Sequence, residues 1–134
     1  MKTIGIIGAM SEEITYLKEK IEIVTTKNII GLDFHVGKYC GNSIVLVISG
    51  IGKVNAAMAA QLCSDRYQPD WVINAGVAGS FRDLPIGTVV VAERFLQHDV
   101  DTSPIGDPVG LVSTVNTLHF PTAAPEKIAA FLEQ

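Results

Sequence analysis

The amino-acid sequence predicts an α/β fold in which several strands end at one edge of a sheet. Apolar strand-like runs occupy residues 4–7, 44–48 and 71–75, and each one leads into a turn of small residues at Gly8, Gly50 and Gly76. Helical spacing follows the first two of these turns. If the strands are parallel, all three turns lie at the same edge, where open α/β sheets bind their ligands. The pattern therefore predicts a composite pocket at that edge.

The size and composition of the chain favour one compact domain that handles a small molecule. The 134 residues are 48% hydrophobic and 18% charged, with a formal net charge of −4. This charge, without a Lys/Arg cluster, argues against a nucleic acid or an anionic membrane as partner. No apolar run approaches the ~20 residues of a membrane span. Cys40 and Cys63 lack CxxC spacing, which predicts free thiols in a cytoplasmic protein.

The first element is predicted to be a strand, a tight turn and a helix. Ser11 is a good N-cap residue, and Ile14, Leu17 and Ile21 then recur on one helix face. Glu12 and Glu13 stand in the first turn, where their carboxylates would repel a phosphate. The two acids either only complement the helix dipole or act on water or a neutral substrate.

The middle of the chain predicts a hairpin and a second helix. Residues 23–26 are β-rich but short, 28–31 resemble a turn, and 33–39 alternate as a half-exposed strand before the apolar strand 44–48. Two glycines then precede an alanine-rich helix. A phosphate-binding Walker A loop is excluded there, because it would need Gly at Val47 and Ser or Thr at Val54.

The last third of the chain predicts one more strand, a polar cluster and a long loop. Residues 88–92 form the strand, 104–125 the loop, and a helix begins at Pro125. His98, Asp99 and Asp101 are chemically possible metal ligands, but alternation would place His98 on the face opposite the two aspartates. Hydrogen bonding or a pocket wall is therefore favoured over a metal site. The chain ends within the predicted helix.

Three motifs together resemble the bacterial 5′-methylthioadenosine/S-adenosylhomocysteine nucleosidases of the purine nucleoside phosphorylase superfamily. They are residues 5–13 (GIIGAMSEE), 49–55 (SGIGKVN) and 74–79 (NAGVAG), followed by 87–91 (GTVVV) and 98–101 (HDVD). The resemblance implies a three-layer α/β/α fold with a mixed, partly barrel-like central sheet. It implies a cytoplasmic homodimeric hydrolase of nucleoside catabolism and methionine salvage. This enzyme would release adenine from either nucleoside without metal or organic cofactor.

The resemblance also implies roles for individual residues. Glu13 would be the water-activating base. Ala9 and Met10 would line the ribose side, Ile51 would touch the 5′-alkylthio group, and Val77, Ala78 and Gly79 would border the purine and sugar. Ile105 lies in a loop that would close the 5′ pocket of the neighbouring subunit. Glu12 would serve only the helix terminus.

The sequence departs from the family at several points. Many members have Ser where Val77 stands, and an aromatic residue is common at the position of Ile105. Family members continue for roughly another hundred residues, which would carry the ribose-binding pair and the acid that protonates adenine. Residues 1–134 are therefore expected to be one incomplete domain with poor activity alone.

Two alternative functions remain open at this stage. A nucleoside phosphorylase would require phosphate and arginines lining the pocket, whereas neither Arg66 nor Arg82 lies in a glycine turn. A purine-nucleoside-binding module that has lost the acid would bind the substrate without releasing adenine.

Overall fold

A computed structural model describes residues 1–123 of the chain. The chain divides into two compact units, Met1–Phe81 and the segment from Arg82 onward. The first unit contains β1 (Thr3–Gly8), α1 (Ser11–Lys20), β2 (Glu22–Ile29), β3 (Leu32–Tyr39), β4 (Asn42–Ile48), α2 (Lys53–Tyr67) and β5 (Trp71–Asn74). The second contains β6 (Arg94–Phe95), β7 (Phe120–Pro121) and two short 3-10 helices at Ser103–Ile105 and Ser113–Val115.

The first unit is built on a mixed five-stranded sheet with the order β2-β3-β4-β1-β5. Strand β1 pairs in parallel with β4 on one side and with β5 on the other, while β2, β3 and β4 are antiparallel neighbours. The predicted α/β class, the mixed sheet and the hairpin of β3 and β4 are therefore confirmed. Because β1 has a parallel neighbour on each side, the carboxyl ends of three strands meet at one edge.

Two glycines of β1 show that the helices cover opposite faces of the sheet. A Cβ on Gly5 would meet Cys63 of α2, and a Cβ on Gly8 would meet Ile14 of α1. Side chains three positions apart in a strand point to opposite faces. The two helices therefore form the outer layers of a three-layer arrangement, as predicted, and the missing side chains at residues 5 and 8 let both helices approach closely.

The main hydrophobic core lies between the sheet and α2. Fully buried side chains from β3, β4 and α2 interdigitate there, and they belong to Phe34, Val45, Val47, Ala59 and Cys63. The Tyr67 ring stacks on Phe34 with 5.5 Å between ring centroids. Cys63 is a free buried thiol, as its spacing predicts. On the other face, Ile14 is completely buried and fastens α1 to the sheet.

Two strand predictions are wrong. Strand β2 runs from Glu22 to Ile29, twice the length predicted, because β3 supplies hydrogen-bond partners along its whole length despite its exposed side chains. Its ladder contains a register shift between Ile23 and Thr25. The predicted strand at residues 88–92 does not form, and its valines are half to nine-tenths exposed. β-Branched residues favour a strand only where a neighbour completes the ladder.

The described part of the second unit, residues 82–123, consists mostly of loops, and a loop was predicted for the segment from residue 104 onward. The two-residue strands β6 and β7 pair with each other, and the Thr122 amide donates to the Glu93 carbonyl beside them. The Asp107 carboxylate accepts hydrogen bonds from the hydroxyls of Thr102 and Ser113. The helix predicted from Pro125 lies outside the described residues. Within residues 1–123, no helix is both long and apolar enough to cross a membrane.

Candidate functional site

The three glycine turns predicted to form a pocket lie side by side at the carboxyl edge of the sheet. Main-chain hydrogen bonds join the first residues of these turns. The Ser49 amide donates to the Gly8 carbonyl at 2.9 Å, and the Ala75 amide donates to the Ile7 carbonyl at 2.9 Å. The turn after β1 is therefore flanked by the turns after β4 and β5. The parallel pairing on which the pocket prediction depended is present.

The Glu13 carboxylate lies where the first and third of these turns meet. Its Oε2 atom accepts hydrogen bonds from the amides of Ala9 at 2.9 Å and Met10 at 3.0 Å. Its Oε1 atom accepts one from the amide of Val77 at 3.0 Å. The side chain thus bridges two segments that are 64 residues apart in sequence.

The hydrogen bonds from these amides favour the ionised form of Glu13. The Val77 amide, followed by the Met10 amide, lowers the pKa of Glu13 below its ordinary value, against a smaller opposing effect of desolvation. Glu13 is therefore a carboxylate at neutral pH. A carboxylate has about four lone-pair sites, and the three amides use two on Oε2 and one on Oε1. Oε1 keeps one site with which it can accept a further hydrogen bond, for example from water.

Helix α1 begins one residue earlier than the N-cap prediction implies. Met10 occupies the N-cap position, and Ser11 is the first helical residue. The Ser11 hydroxyl donates to the Glu12 carboxylate at 3.0 Å instead of capping the helix. The backbone amide of Glu12 and the Ser11 hydroxyl lower the pKa of the exposed Glu12. Glu13 lies three positions after the N-cap, and its carboxylate accepts a hydrogen bond from the Met10 amide. The N-cap residue is therefore Met10 and not Ser11, which was predicted.

The second turn presents an apolar side chain on a backbone held by polar contacts. Gly50 and Gly52 have φ values of +84° and +105°, which favour glycine. The Ser49 hydroxyl donates to the Gly50 carbonyl at 2.9 Å, and the Asn55 amide donates to the Ile51 carbonyl at 2.8 Å. Ile51 itself is 73% exposed. Sequence reasoning did not assign roles to Ser49 or Asn55, although a polar residue on each side of a glycine turn is a recognisable signal.

The third turn contributes backbone more than side chain. Val77, Ala78 and Gly79 are all exposed, and Val77 contacts Glu13 through its amide. Gly76 has the Glu13 carboxylate directly over its Cα, since a Cβ there would lie 2.6 Å from Oε1. Among the predicted site residues, the structure brings Ala9, Met10 and Val77 onto Glu13, with Ile51 on the neighbouring turn.

Ile105 lies in the second unit, at the end of a short 3-10 helix, and its side chain is 80% exposed. In the same unit, Asp101 accepts a hydrogen bond from the Ser103 amide, consistent with the structural interpretation of the polar cluster. No group of three His, Cys, Asp or Glu within residues 1–123 is arranged to hold a metal ion. Arg66 lies in α2 and Arg82 is the first residue of the second unit, so neither belongs to a glycine turn. The third arginine of the sequence, Arg94, was not considered in that prediction and lies in β6.

Comparison with known proteins finds similar sequences over nearly the whole chain. The sequence model of the phosphorylase superfamily matches residues 3–134. The 5′-methylthioadenosine/S-adenosylhomocysteine nucleosidase of Bacillus subtilis is 41% identical over 132 residues, which cover 98% of this chain and 56% of that protein. The corresponding protein of Bacillus pumilus is 46% identical over 132 residues, with the same coverage. The chain thus spans about half the length of the curated relatives it matches.

Solved structures give the same result. The nucleosidase of Colwellia psychrerythraea in complex with adenine aligns with a TM-score of 0.90 and 38% identity, over 98% of this chain and 54% of that one. The Neisseria meningitidis nucleosidase in complex with methylthio-immucillin-A aligns with a TM-score of 0.88 and 34% identity, over 99% and 60%. The resemblance inferred from the three motifs is confirmed by these relatives.

Proposed function

The chain belongs to the phosphorylase superfamily, and from this premise we propose that the whole protein hydrolyses the N-glycosidic bond of 5′-methylthioadenosine and S-adenosylhomocysteine. The products are adenine and the corresponding thioribose. The relatives that match nearly the whole chain carry the name of this activity.

The observation that carries this proposal is the Glu13 carboxylate, held by three amides with one lone-pair site open on Oε1. The attacking water donates one hydrogen bond to that site. Its oxygen forms a bond to the sugar C1′ while the bond from C1′ to N9 of adenine breaks, and the electron pair of that bond passes to the adenine ring. The water proton passes to Glu13. General base catalysis of this kind contributes about 10²–10⁴-fold.

The leaving adenine also requires a proton, because departure of the anion is unfavourable. Within residues 1–123, the hydrogen bonds of the Glu13 carboxylate all come from backbone amides, and none comes from a second acid. We assign the proton donor to a group outside residues 1–123.

The remaining site assignments follow from the resemblance to the nucleosidases. Ala9 and Met10 line the ribose side of Glu13, Ile51 contacts the 5′-alkylthio group, and the turn of Val77, Ala78 and Gly79 borders the purine and sugar. The strong exposure of Ile51 and Val77 supports this, because both side chains are free to meet a ligand.

The exposed Ile105 supports a homodimer in which this residue closes the 5′ pocket of the partner subunit. A cytoplasmic location accords with Cys40 and Cys63, which are both free thiols.

A phosphorolytic reaction is less compatible with the site. A phosphorylase must hold a phosphate dianion beside C1′, where this chain presents the ionised Glu13 at the N-terminus of α1. Two anions at one site repel each other. The amides of Ala9, Met10 and Val77 already donate hydrogen bonds to Glu13, so these three donors are not free to bind phosphate.

The deciding experiment incubates the full-length gene product with 5′-methylthioadenosine, with and without inorganic phosphate, and measures free adenine and the sugar product. We expect equal adenine release in both conditions and free methylthioribose. Release that depends on phosphate and yields the sugar 1-phosphate would establish a phosphorylase instead. Binding of the nucleoside without any adenine release would establish a binding module.

A further inference from the structure

We propose that Gly76 is a positioning residue for the base, in that the missing side chain at this position is what allows the Glu13 carboxylate to reach the Val77 amide. This inference rests on the proposed role of Glu13 as the base. Sequence analysis treated Gly76 only as a small residue near a ligand.

The space above Gly76 is filled by the carboxylate. A Cβ at this position would lie 2.6 Å from Oε1, 3.0 Å from Cδ and 3.2 Å from Oε2 of Glu13. Real Cβ atoms essentially never approach another heavy atom more closely than 3.0 Å. Gly76 does not have a positive φ, so the backbone itself would accept alanine. The three heavy atoms nearest to that Cβ all belong to Glu13.

A methyl group at residue 76 would move the carboxylate rather than the fold. The atoms it meets belong to the far end of a flexible side chain, which can shift at low cost. An ordinary contact with a Cβ begins at 3.4 Å, so Oε1 must retreat from its present 2.6 Å by about 0.8 Å, and by 0.4 Å even to reach the 3.0 Å limit. A shift of this size away from residue 76 stretches or bends the 3.0 Å bond from the Val77 amide. The Ala9 and Met10 amides hold only Oε2, so they do not restore Oε1 to its place.

Such a shift changes catalysis because Oε1 is the oxygen with the open site for water. A misplacement of about 1 Å can cost about 10²-fold in rate, so a shift of a few tenths of an ångström corresponds to roughly tenfold. The Val77 amide is also the strongest cause of the low pKa of Glu13, so weakening this bond raises that pKa.

The test compares Gly76→Ala with the wild-type full-length gene product. We expect kcat to fall by roughly tenfold with a smaller change in KM, and the acidic limb of the kcat profile to move to higher pH. A merely structural role would not move the pH profile. A Gly76→Ala enzyme with wild-type kcat and pH profile would overturn the proposal.

A second readout does not depend on activity. The carboxyl carbon of Glu13, followed by NMR during a pH titration, should titrate at higher pH in Gly76→Ala. The matched control is Gly79→Ala in the same turn, where a Cβ would have nothing within 4 Å. In that variant the Glu13 carbon should titrate as in the wild type. Equal titration in all three proteins overturns the proposal, even if the protein proves not to hydrolyse nucleosides.

A folding failure of the variant is also informative through a double substitution. If Gly76→Ala is insoluble because its methyl group meets the carboxylate, then Gly76→Ala combined with Glu13→Ala removes the obstacle and should fold. Failure of both proteins, with Glu13→Ala alone soluble, would show that glycine is needed for another reason and would refute the proposal.

Discussion

The prediction that most directly tests how α1 is fixed to the sheet concerns Ile14. This side chain is completely buried, and it packs against the Cα of Gly8, where even a Cβ would collide with its Cγ2 methyl group. Ile14→Ala removes three carbon atoms from this contact. Their transfer term is about 2.4 kcal/mol at ~0.8 kcal/mol per carbon, and the cavity left behind raises the expected loss to about 3–5 kcal/mol.

The closeness of Gly8 gives this prediction a second part. Gly8→Ala alone overpacks the contact and should destabilise by about 1–3 kcal/mol. In the double variant the new methyl group no longer meets the Cγ2 atom of Ile14 and fills part of the cavity. The two effects should therefore be less than additive, by about 0.5–3 kcal/mol.

The assay is urea unfolding of the full-length gene product, followed by circular dichroism for the wild type, both single variants and the double variant. Leu17→Ala, on the same helix at a half-buried position, is the control and should cost less than Ile14→Ala. A loss below about 1 kcal/mol for Ile14→Ala would contradict complete burial. Strict additivity in the double variant would refute the contact between Ile14 and Gly8.

Three further predictions concern the site and the buried histidine. Glu13→Gln should lower kcat by about 10²–10⁴-fold while the protein still folds, and wild-type turnover in this variant would show that another group is the base. Asn55→Ala removes the donor to the Ile51 carbonyl, so KM for methylthioadenosine should rise several-fold with little change in kcat, whereas unchanged steady-state kinetics would contradict this role. His35 is buried and its pKa is lowered, first by desolvation and then by Lys18, so the folded state disfavours its protonation. The free energy of unfolding should be retained above the unfolded-state pKa of about 6.5 and should fall as pH drops below it. Urea unfolding at pH 7.5 and 5.5 measures this effect, and His35→Gln should abolish the difference in stability between the two pH values.

The sequence was most informative where burial and periodicity coincide. Strands β1 and β4 are continuous apolar runs, and α1 carries Ile14 and Leu17 at helical spacing, so these elements were predicted to within one or two residues at their ends. The adjacency of the three glycine turns was also predictable, because parallel strands place their carboxyl ends together.

The wrong predictions share a physical cause, which is that a strand is completed by the strand it pairs with and not by its own residues alone. β2 has exposed side chains along almost its whole length, and only its ladder with β3 extends it to Ile29. Residues 88–92 have strong β propensity but no strand in the structure. Likewise, the acid at Glu13 was visible in the sequence, while the Val77 amide that binds it becomes a neighbour only through the pairing of β1 with β5.

The position of β2 at the edge of the sheet has a consequence for association between molecules. An exposed edge strand offers unpaired backbone groups to any other chain and is a site of aggregation. Here the outermost strand carries Lys27 and interrupts its ladder between Ile23 and Thr25, two features that disfavour regular pairing with a further strand. Growth of the sheet beyond β2 by pairing with another chain is thereby hindered.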